Sequence, residues 1–528
     1  MLSLVVALAA ANAAAQPSAP EEALLTPASG AATRGGAAVA IDGDLALVGV
    51  PGTGTAATHG TVYAYRRTAP ATWTLEQTIV DPEPAATNSG DTFGASVALS
   101  GATAVVGDPT HASRAGQAWV LTRDAGSGMW SAVAVLPPAG APTRFGTAVA
   151  IAPPYVLVGA PDSGGGRAGA VVVFDLLGGL DAAQIATPAD VTGAGLFGAA
   201  VAISAPPADT STVIVGAPGS DRAYAFALPD GDPAWSSGTS FAATSSGRFG
   251  AAVALSPDGR VAVIGAHEES GRGAAYVLRR DTASGPWPDL GAATQLGGSD
   301  SASSDHFGSS VAAIDDVVVV GSPYRDASSA DTGALYLFQR VDDAWREVSR
   351  YATSAPMTGD QLGVAVALTA DSVLGGAPRP ASTLGYAAVF PFPSELGEAC
   401  ELDARCASGL CVDGVCCNEP CGGGSVEDCV ACSVATGASE DGTCGATREA
   451  MSCVGCGGEG TCGEGVCSAS LGCDAGGADD AGAPPPHRVS GCKCGVAVPA
   501  GSRWGLEAGL MSALAWVAFQ IRSRRARR

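Results

Sequence analysis

The stretch Phe145-Gly146-Thr147-Ala148-Val149-Ala150-Ile151 decides the fold, together with Val156-Leu157-Val158-Gly159-Ala160-Pro161, which follows after a short turn. A second copy lies at Phe197-Gly198-Ala199-Ala200-Val201-Ala202-Ile203 and ends with Val213-Ile214-Val215-Gly216-Ala217-Pro218. Each copy is a Phe-Gly pair, a strand of small residues, a turn, an apolar strand and a Gly-Ala-Pro ending. Variants of this unit make up nearly all of the chain between residues 21 and 391.

The repeats can be counted by the glycine of the Phe-Gly pair, which is preceded by Gly35 in the first copy and by Leu362 in the last. Successive copies are 52 to 58 residues apart. A period near fifty residues indicates a propeller, a solenoid or an array. The seven glycines are Gly36, Gly94, Gly146, Gly198, Gly250, Gly308 and Gly363.

Each repeat contains four strand candidates, here called strands a to d. Strand a follows the Phe-Gly pair, and strand b is a continuous apolar run such as Val317–Val320, typical of burial on both faces. Strand c alternates, as in residues 60–65, and strand d often opens with Trp, as at Trp73 and Trp130. Four short strands per repeat predict an all-β fold, a seven-bladed β-propeller. We expect the small residues to permit close packing near the axis and the Phe to wedge between blades.

The repeat resembles the FG-GAP family, best known from the seven-bladed head of integrin alpha chains, and is most similar to the bacterial variety without calcium loops. The resemblance extends over all seven copies. It implies a propeller fold but says little about function, because one fold hosts many activities.

The two ends of the repeat region predict how the ring closes. Residues 21–27 align with residues 76–82, which form the strand d that leads into the second copy. The last copy lacks its own strand d, because Tyr386–Phe390 is followed directly by Pro391 and the cysteine region. We expect the N-terminal strand to complete the last blade and so to remove an open sheet edge.

The loops between strands b and c, and those between strands d and a, should emerge on one face, where binding tends to reside. His267 beside Glu268 and Glu269 is the best acid–base group, whereas His306 is interpreted as a variable turn residue. The alternative for the whole set is a solvated rim of mixed charge. The predicted binding residues are Arg114, Arg167, Arg222, His267, Glu268, Arg272, Tyr324, Arg325 and Asp326.

The connections between strands a and b indicate whether the propeller can bind calcium. They are interpreted as two-residue turns, as at Asp42-Gly43, Asp258-Gly259 and Asp315-Asp316. Calcium needs six to eight oxygen ligands, and these turns offer one or two carboxylates. We therefore expect no metal and no cofactor.

Composition and motifs limit the function classes. The chain has 528 residues and a net charge of −23, which disfavours nucleic acid as a partner. The sequence contains no H-E-x-x-H, no G-x-S-x-G and no phosphate-binding glycine loop. We expect no catalytic residues and do not expect an enzyme.

Sixteen cysteines lie between Cys400 and Cys494, in a region of small polar residues with little apolar core. Disulfides are expected to stabilise residues 397–474, which resemble the cysteine-rich segments of myxobacterial surface proteins. The alternative is zinc, bound through the C-x-x-C pairs at Cys429 and Cys453. The cysteines assigned to disulfides are Cys400, Cys406, Cys411, Cys416, Cys417, Cys421, Cys429, Cys432, Cys444, Cys453, Cys456, Cys462, Cys467 and Cys473.

The termini predict secretion and anchoring. Residues 1–15 have the pattern of a signal peptide, residues 16–396 form the propeller, and residues 475–490 form a disordered linker. Residues 491–528 combine Cys492 and Cys494, an apolar stretch at 505–521 and an arginine tail. This combination resembles the myxobacterial sorting signal, which implies tail removal and processing or lipidation at one cysteine. A plain single transmembrane helix is the alternative.

Together these observations predict a secreted protein anchored at the outer membrane or cell envelope. We expect it to bind or adhere to an extracellular protein or polysaccharide through its loop face. The alternatives are an extracellular hydrolase with a pocket at the propeller axis and a purely structural envelope protein.

Overall fold

The computed structural model describes most of the repeat region and short stretches of the cysteine region, in two compact units. One unit contains residues 1–394 and 404–409, and the other contains the remainder. The described residues are 21–27, 34–52, 59–83, 91–138, 143–161, 168–204, 210–228, 235–236, 238–243, 245–327, 329–341, 343–379 and 384–392, then 411–412, 415–417, 430–431, 445–446, 451–454, 461–463, 466–468 and 493–496.

The repeat region forms seven four-stranded antiparallel sheets, which confirms the seven-bladed propeller. Blades are numbered in chain order, and strands a to d follow one another within each of the first six. Blades 1 to 3 contain β2 (Ala38–Asp42), β3 (Leu45–Val50), β4 (Thr61–Ala69), β5 (Thr72–Val80); β6 (Ser96–Ser100), β7 (Thr103–Asp108), β8 (Gln117–Arg123), β9 (Trp130–Leu136); and β10 (Ala148–Ala152), β11 (Tyr155–Ala160), β12 (Ala170–Asp175), β13 (Asp181–Ile185).

Blades 4 to 6 have the same order. Short helices interrupt a few loops of the propeller, one in blade 2 and three in blades 4 and 5. The helices are α1 (His111–Arg114) and the 3-10 turns Pro218–Ser220, Glu269–Gly271 and Leu290–Ala292. The strands are β14 (Ala200–Ser204), β15 (Ser211–Ala217), β16 (Arg222–Leu228), β17 (Thr239–Ala242); β18 (Ala252–Leu255), β19 (Val261–Ala266), β20 (Ala274–Arg279), β21 (Thr294–Leu296); and β22 (Ser310–Ile314), β23 (Val317–Ser322), β24 (Ala334–Val341), β25 (Ala344–Tyr351).

Blade 7 is completed by the N-terminal strand, as the sequence predicted. It contains β26 (Ala365–Leu368), β27 (Ser372–Ala377) and β28 (Tyr386–Pro391), with β1 (Ala23–Leu25) as its outer strand. β1 pairs antiparallel with β28, so that Leu25 lies opposite Ala387. The side chain of Leu25 is buried, which holds the strand in place. The closure therefore joins the first and last strands of the repeat region.

Seven apolar clusters hold the ring together, and each cluster lies at the seam between two neighbouring blades. At one seam, Val263 and Val277 of blade 5 join Phe307, Val320 and Tyr336 of blade 6. Phe307 is fully buried, which confirms that the aromatic residue of the Phe-Gly pair wedges between blades. The core is thus a ring of seams rather than a single centre.

The glycines near the axis are required by close approach of the backbone. A Cβ atom on Gly159, at the end of strand b, would lie 2.1 Å from the carbonyl oxygen of Gly198 in the next blade. Gly198 has a φ of +89°, a conformation that L side chains rarely adopt. This confirms the expected role of small residues beside the inner strands.

One predicted turn is wrong. Asp258-Gly259 was expected to be a two-residue connection, but the chain between β18 and β19 spans residues 256–260. The Ser256 hydroxyl accepts hydrogen bonds from the N–H groups of Arg260 and Val261 at 3.2 and 2.9 Å, and Asp258 also accepts from Arg260. Side-chain acceptors therefore stabilise a wider turn here.

The second unit is described as four two-stranded antiparallel pairs. In these pairs Cys411 lies opposite Cys416, Cys462 opposite Cys467, and Cys453 opposite Cys494. Cys417 is buried and disulfide-bonded. The pairs are Cys411–Val412 with Val415–Cys416, Val430–Ala431 with Gly445–Ala446, Met451–Val454 with Lys493–Val496, and Thr461–Gly463 with Val466–Ser468.

The predicted signal peptide, the predicted linker, Cys492 and the apolar stretch at 505–521 lie outside the described residues. Within the described part of the chain, no helix is long and apolar enough to cross a membrane.

Candidate binding surface on the loop face

The loops after strand b and the segments that lead into strand a lie together on one side of the propeller, here called the loop face. Contacts between them cross the seams between blades. The N–H groups of Gly247 and Phe249 donate to Asp221 Oδ1 at 3.0 and 3.2 Å, and the Gln361 N–H donates to the Asp331 carbonyl at 3.0 Å. The predicted grouping of these loops is therefore correct.

A triplet of an acid, an arginine and a tyrosine recurs on this face. In blade 6, Asp300 accepts hydrogen bonds from Arg325 Nη2 at 2.6 Å and from the Tyr336 hydroxyl at 2.5 Å. Arg350 contacts the same carboxylate. The same three residue types meet in blade 4 as Asp190, Arg222 and Tyr224, and in blade 7 as Asp360, Arg379 and Tyr386, where the acid lies closer to the Leu-Gly pair.

The charges in the triplet of blade 6 compensate one another. Burial alone would raise the pKa of Asp300, but hydrogen bonds from Arg325 and Tyr336 outweigh it, so the pKa lies below its ordinary value. Arg222 and Arg325, both predicted to bind ligand, already have their charges paired within the fold. Their position explains how the loops are fastened, and their binding role stays a prediction.

Three rings form a row across the seam between blades 5 and 6. His267 follows β19, His306 precedes the Phe307-Gly308 pair, and Tyr324 follows β23. The ring centroids of His267 and His306 are 5.5 Å apart, and those of His306 and Tyr324 are 4.8 Å apart. Tyr324 is 37% exposed. His267 and His306 are tilted by 39°, and His306 meets Tyr324 edge to face at 67°, so the three rings pack into one aromatic cluster on the loop face.

Charged side chains flank this row. Glu268 Oε1 lies 3.8 Å from His267 Nε2 and 3.5 Å from Arg248 Nε, and it is more than half exposed. Burial, with a smaller effect of His306, lowers the pKa of His267 below its ordinary value. The fold therefore favours the neutral form of the His267 imidazole. We call His267, His306, Tyr324, Glu268 and Arg248 the ring patch.

Two segments of the chain, residues 73–121 and 292–338, match the family model described as FG-GAP repeat. Each segment contains one Phe-Gly pair, and the pair opens a four-stranded blade in both cases. The chain therefore contains FG-GAP repeats within a seven-bladed β-propeller.

Solved structures with a similar course of the chain share little sequence with the FG-GAP propeller. Sqt1 of Saccharomyces cerevisiae is 11% identical, with a TM-score of 0.42, and the match covers 71% of this chain and all of that chain. A functionally unknown protein from Desulfotomaculum acetoxidans is 13% identical, with a TM-score of 0.42 and coverages of 63% and 89%. A Lactobacillus plantarum protein is 14% identical, with a TM-score of 0.40 and coverages of 62% and 86%. No curated protein matches the sequence.

The remaining predicted residues are distributed along the loop face of the FG-GAP propeller. Arg114, Arg272 and Asp326 are exposed, and Arg167 lies outside the described residues. Glu269 does not join His267 and Glu268 as expected. It is buried, and its carboxylate accepts a hydrogen bond from the Tyr276 hydroxyl at 2.7 Å.

His306 was interpreted from the sequence as a turn residue, because it is a single residue before a Phe-Gly pair, but the structure makes it a candidate for binding. The sequence does place His306 in a segment that leads into strand a, next to the loops that follow strand b, and this position could have indicated a role on the loop face. Only docking of two blades brings it between His267 and Tyr324.

One pocket lies between blades 4 and 5 on the side opposite the loop face. It is lined by residues that include Thr212, Phe226, Ser236, Arg280 and Trp287. The guanidinium carbon of Arg280 lies 4.3 Å from the ring centroid of Trp287. This pocket is not at the axis where a hydrolase site was considered, and the hydrolase alternative stays a prediction.

Proposed function

We propose that this FG-GAP propeller is a cell-surface binding module that adheres to an extracellular protein or glycan through its loop face. The contact is centred on the ring patch. The row formed by His267, His306 and Tyr324 is the single observation that carries this proposal.

Rings in such a row supply apolar area at low conformational cost, while their polar atoms remain available for hydrogen bonds. Glu268 and Arg248 beside the row add one charge of each sign. The patch therefore suits a neutral ligand with both apolar faces and hydroxyl or amide groups. A sugar ring and an extended peptide both have this chemistry.

The rigid mounting of the patch also supports binding. The Phe307 N–H donates to the Arg272 carbonyl at 3.0 Å, and the Tyr324 N–H donates to the Asp305 carbonyl at 3.3 Å. These bonds hold the loops of two blades in fixed positions before any ligand arrives. Preorganised loops lose less entropy on binding.

Secretion and anchoring belong to the same proposal and rest on the sequence of residues 1–15 and 491–528. A propeller held at the envelope by a disulfide-rich segment would present its loops to the surroundings. Intact-mass analysis of protein released from cells tests this part, since it reports the termini and any lipid on Cys492 or Cys494.

The full chain should be tested on a glycan array and in a pull-down with extracellular material. We expect His306→Ala combined with Tyr324→Ala to abolish the strongest signal of the wild-type protein. The control is Leu177→Ser, because Leu177 is 86% exposed and lies between strands c and d, on the other side of the propeller. Equal binding by the double variant and the control would contradict the ring patch as the contact site.

A further inference from the structure

A group of imidazole and carboxylate side chains lies in the seam between blades 1 and 2, on the loop face. Asp91 leads into blade 2, Asp108 ends β7, and His111 lies in α1. The nearest ligand atoms of these three side chains all lie within 4.8 Å of one another. His59, from the loop after β3, approaches Asp91 from blade 1.

The spacing within this group is too wide for hydrogen bonds. His111 Nδ1 lies 3.6 Å from Asp108 Oδ2 and 3.8 Å from Asp91 Oδ1, and His59 Nδ1 lies 3.7 Å from Asp91 Oδ2. Hydrogen bonds of this kind are about 2.7–3.2 Å long. Two ligands of one tetrahedral zinc ion, each about 2.0–2.2 Å from it, lie about 3.3–3.6 Å apart. The distance between His111 and Asp108 fits this geometry, and the other two distances would have to shorten slightly when an ion binds.

Several of these atoms are buried without a hydrogen-bond partner among the described residues. They are Asp108 Oδ2, His111 Nδ1 and His59 Nδ1. The same holds for Oδ2 of Asp81, a further acid beside the group. Asp108 is 0% exposed and Asp81, which interacts electrostatically with Asp91 and both histidines, is 4% exposed. Buried polar atoms without partners are costly, and buried carboxylates more so.

Comparison of the seven blades shows that Asp108 is exceptional. Its other oxygen accepts a hydrogen bond from the Thr92 N–H at 2.7 Å, which fixes the carboxylate. Burial, together with the nearby charges of Asp91 and Asp81, raises the pKa of Asp108 to about 6. The corresponding residues that end strand b in the other blades are Val50, Ala160, Ala217, Ala266, Ser322 and Ala377.

The surroundings of the acid that lies two residues before the Phe-Gly pair also differ between blade 2 and blade 7. In blade 7 that acid is Asp360, whose carboxylate is bound by Arg379 and by the Tyr386 hydroxyl. In blade 2 the acid is Asp91, which lies beside a second carboxylate and two imidazoles.

We propose that Asp91, Asp108, His111 and His59 bind one divalent transition-metal ion, zinc in the first instance, which clamps blade 1 to blade 2. Mixed imidazole and carboxylate ligands suit zinc, whereas calcium requires six to eight oxygen ligands. The site is independent of the turns between strands a and b that the sequence analysis considered for calcium. It is independent of the ring patch as well.

The test uses the full chain after removal of metal by a chelator and dialysis. Zinc is then titrated in the presence of a chromophoric zinc indicator. We expect the wild-type chain to bind one equivalent of zinc more than either single variant, Asp108→Ala or His111→Ala. Four other blades have alanine at the position of Asp108, so that variant suits the fold, and His111 is on the surface side of the site. The matched control is Ser322→Ala, the corresponding position in blade 6.

Cobalt(II) replaces zinc in a second experiment, because its absorption distinguishes ligand types. The d–d bands of a nitrogen and oxygen site should disappear in Asp108→Ala and His111→Ala and persist in Ser322→Ala. Bands from cysteine ligands in the second unit would be unaffected by all three substitutions. Equal zinc stoichiometry in all four proteins, or a cobalt spectrum unchanged in both site variants, would overturn the proposal.

Discussion

Replacing Asp300 tests whether the acid–arginine–tyrosine triplet stabilises the propeller. The carboxylate accepts from Arg325 at 2.6 Å and from Tyr336 at 2.5 Å, and Arg350 contacts it too. Asp300→Ala leaves the buried Tyr336 hydroxyl without its acceptor and the Arg325 guanidinium, 12% exposed, without its counter-charge. Loss of a buried hydrogen bond costs about 1–3 kcal/mol, and loss of one partner of a buried pair about 3–5 kcal/mol. Because Asp300 is 30% exposed, we expect about 3 kcal/mol.

The pH dependence of this cost has a definite sign. The pKa of Asp300 is lower in the folded protein than in the unfolded chain. Its contribution is therefore fully present above the unfolded pKa, near about 4, and is lost as pH falls through the folded pKa. Asp300→Asn, which keeps the size of the side chain, should cost most at pH 7 and progressively less below pH 4.

Urea unfolding of the full chain, followed by tryptophan fluorescence, measures the difference at each pH. The matched control is Asp343→Asn, because Asp343 pairs with Arg340 on the surface and is 88% exposed. Exposed pairs contribute little. A cost for Asp300→Asn that equals the control at pH 7, or that does not change between pH 7 and pH 3, would refute the reasoning.

Three further predictions concern packing and oxidation. Gly198→Ala places a Cβ atom 2.5 Å from a backbone oxygen at a φ of +89°, so its free energy of unfolding should fall by more than about 1 kcal/mol, and by more than for Gly43→Ala, where nothing lies within 4 Å. Phe307→Ala should cost about 3–5 kcal/mol in urea unfolding, whereas Phe307→Leu should cost less, because Leu362 occupies the same position in blade 7. Mass spectrometry with and without reductant should find the fourteen cysteines from Cys400 to Cys473 oxidised, and stoichiometric zinc with free thiols there would favour the alternative.

Much of the propeller could be predicted from the sequence because each blade repeats the same local pattern. Residues 21–27 matched residues 76–82, and β1 indeed completes blade 7. The contact between Gly159 and Gly198 also followed from the pattern, since only glycine allows the two backbones to come this close. The turn at Asp258-Gly259 was missed because the Ser256 hydroxyl, a side-chain acceptor, competes with the two-residue turn.

The candidate sites were harder to predict, since they form only when two blades dock. His267, His306 and Tyr324 are far apart in sequence and meet at one seam. Glu269 was expected beside His267, but its carboxylate is buried and accepts a hydrogen bond from the Tyr276 hydroxyl instead. Asp108 could have been singled out from the sequence, because it is the one acidic residue among the seven residues that end strand b.

Closure of the ring by the N-terminal strand is the central claim about the fold, and one measurement tests it directly. The thermal unfolding midpoint of a chain lacking residues 16–30 should be compared with that of a chain lacking residues 16–20. The longer deletion removes the buried Leu25 and the bond from the Glu22 N–H to the Val389 carbonyl, 2.7 Å long, and leaves the edge of β28 open. We predict a lower midpoint for the longer deletion alone, and equal midpoints for the two chains would contradict the closure.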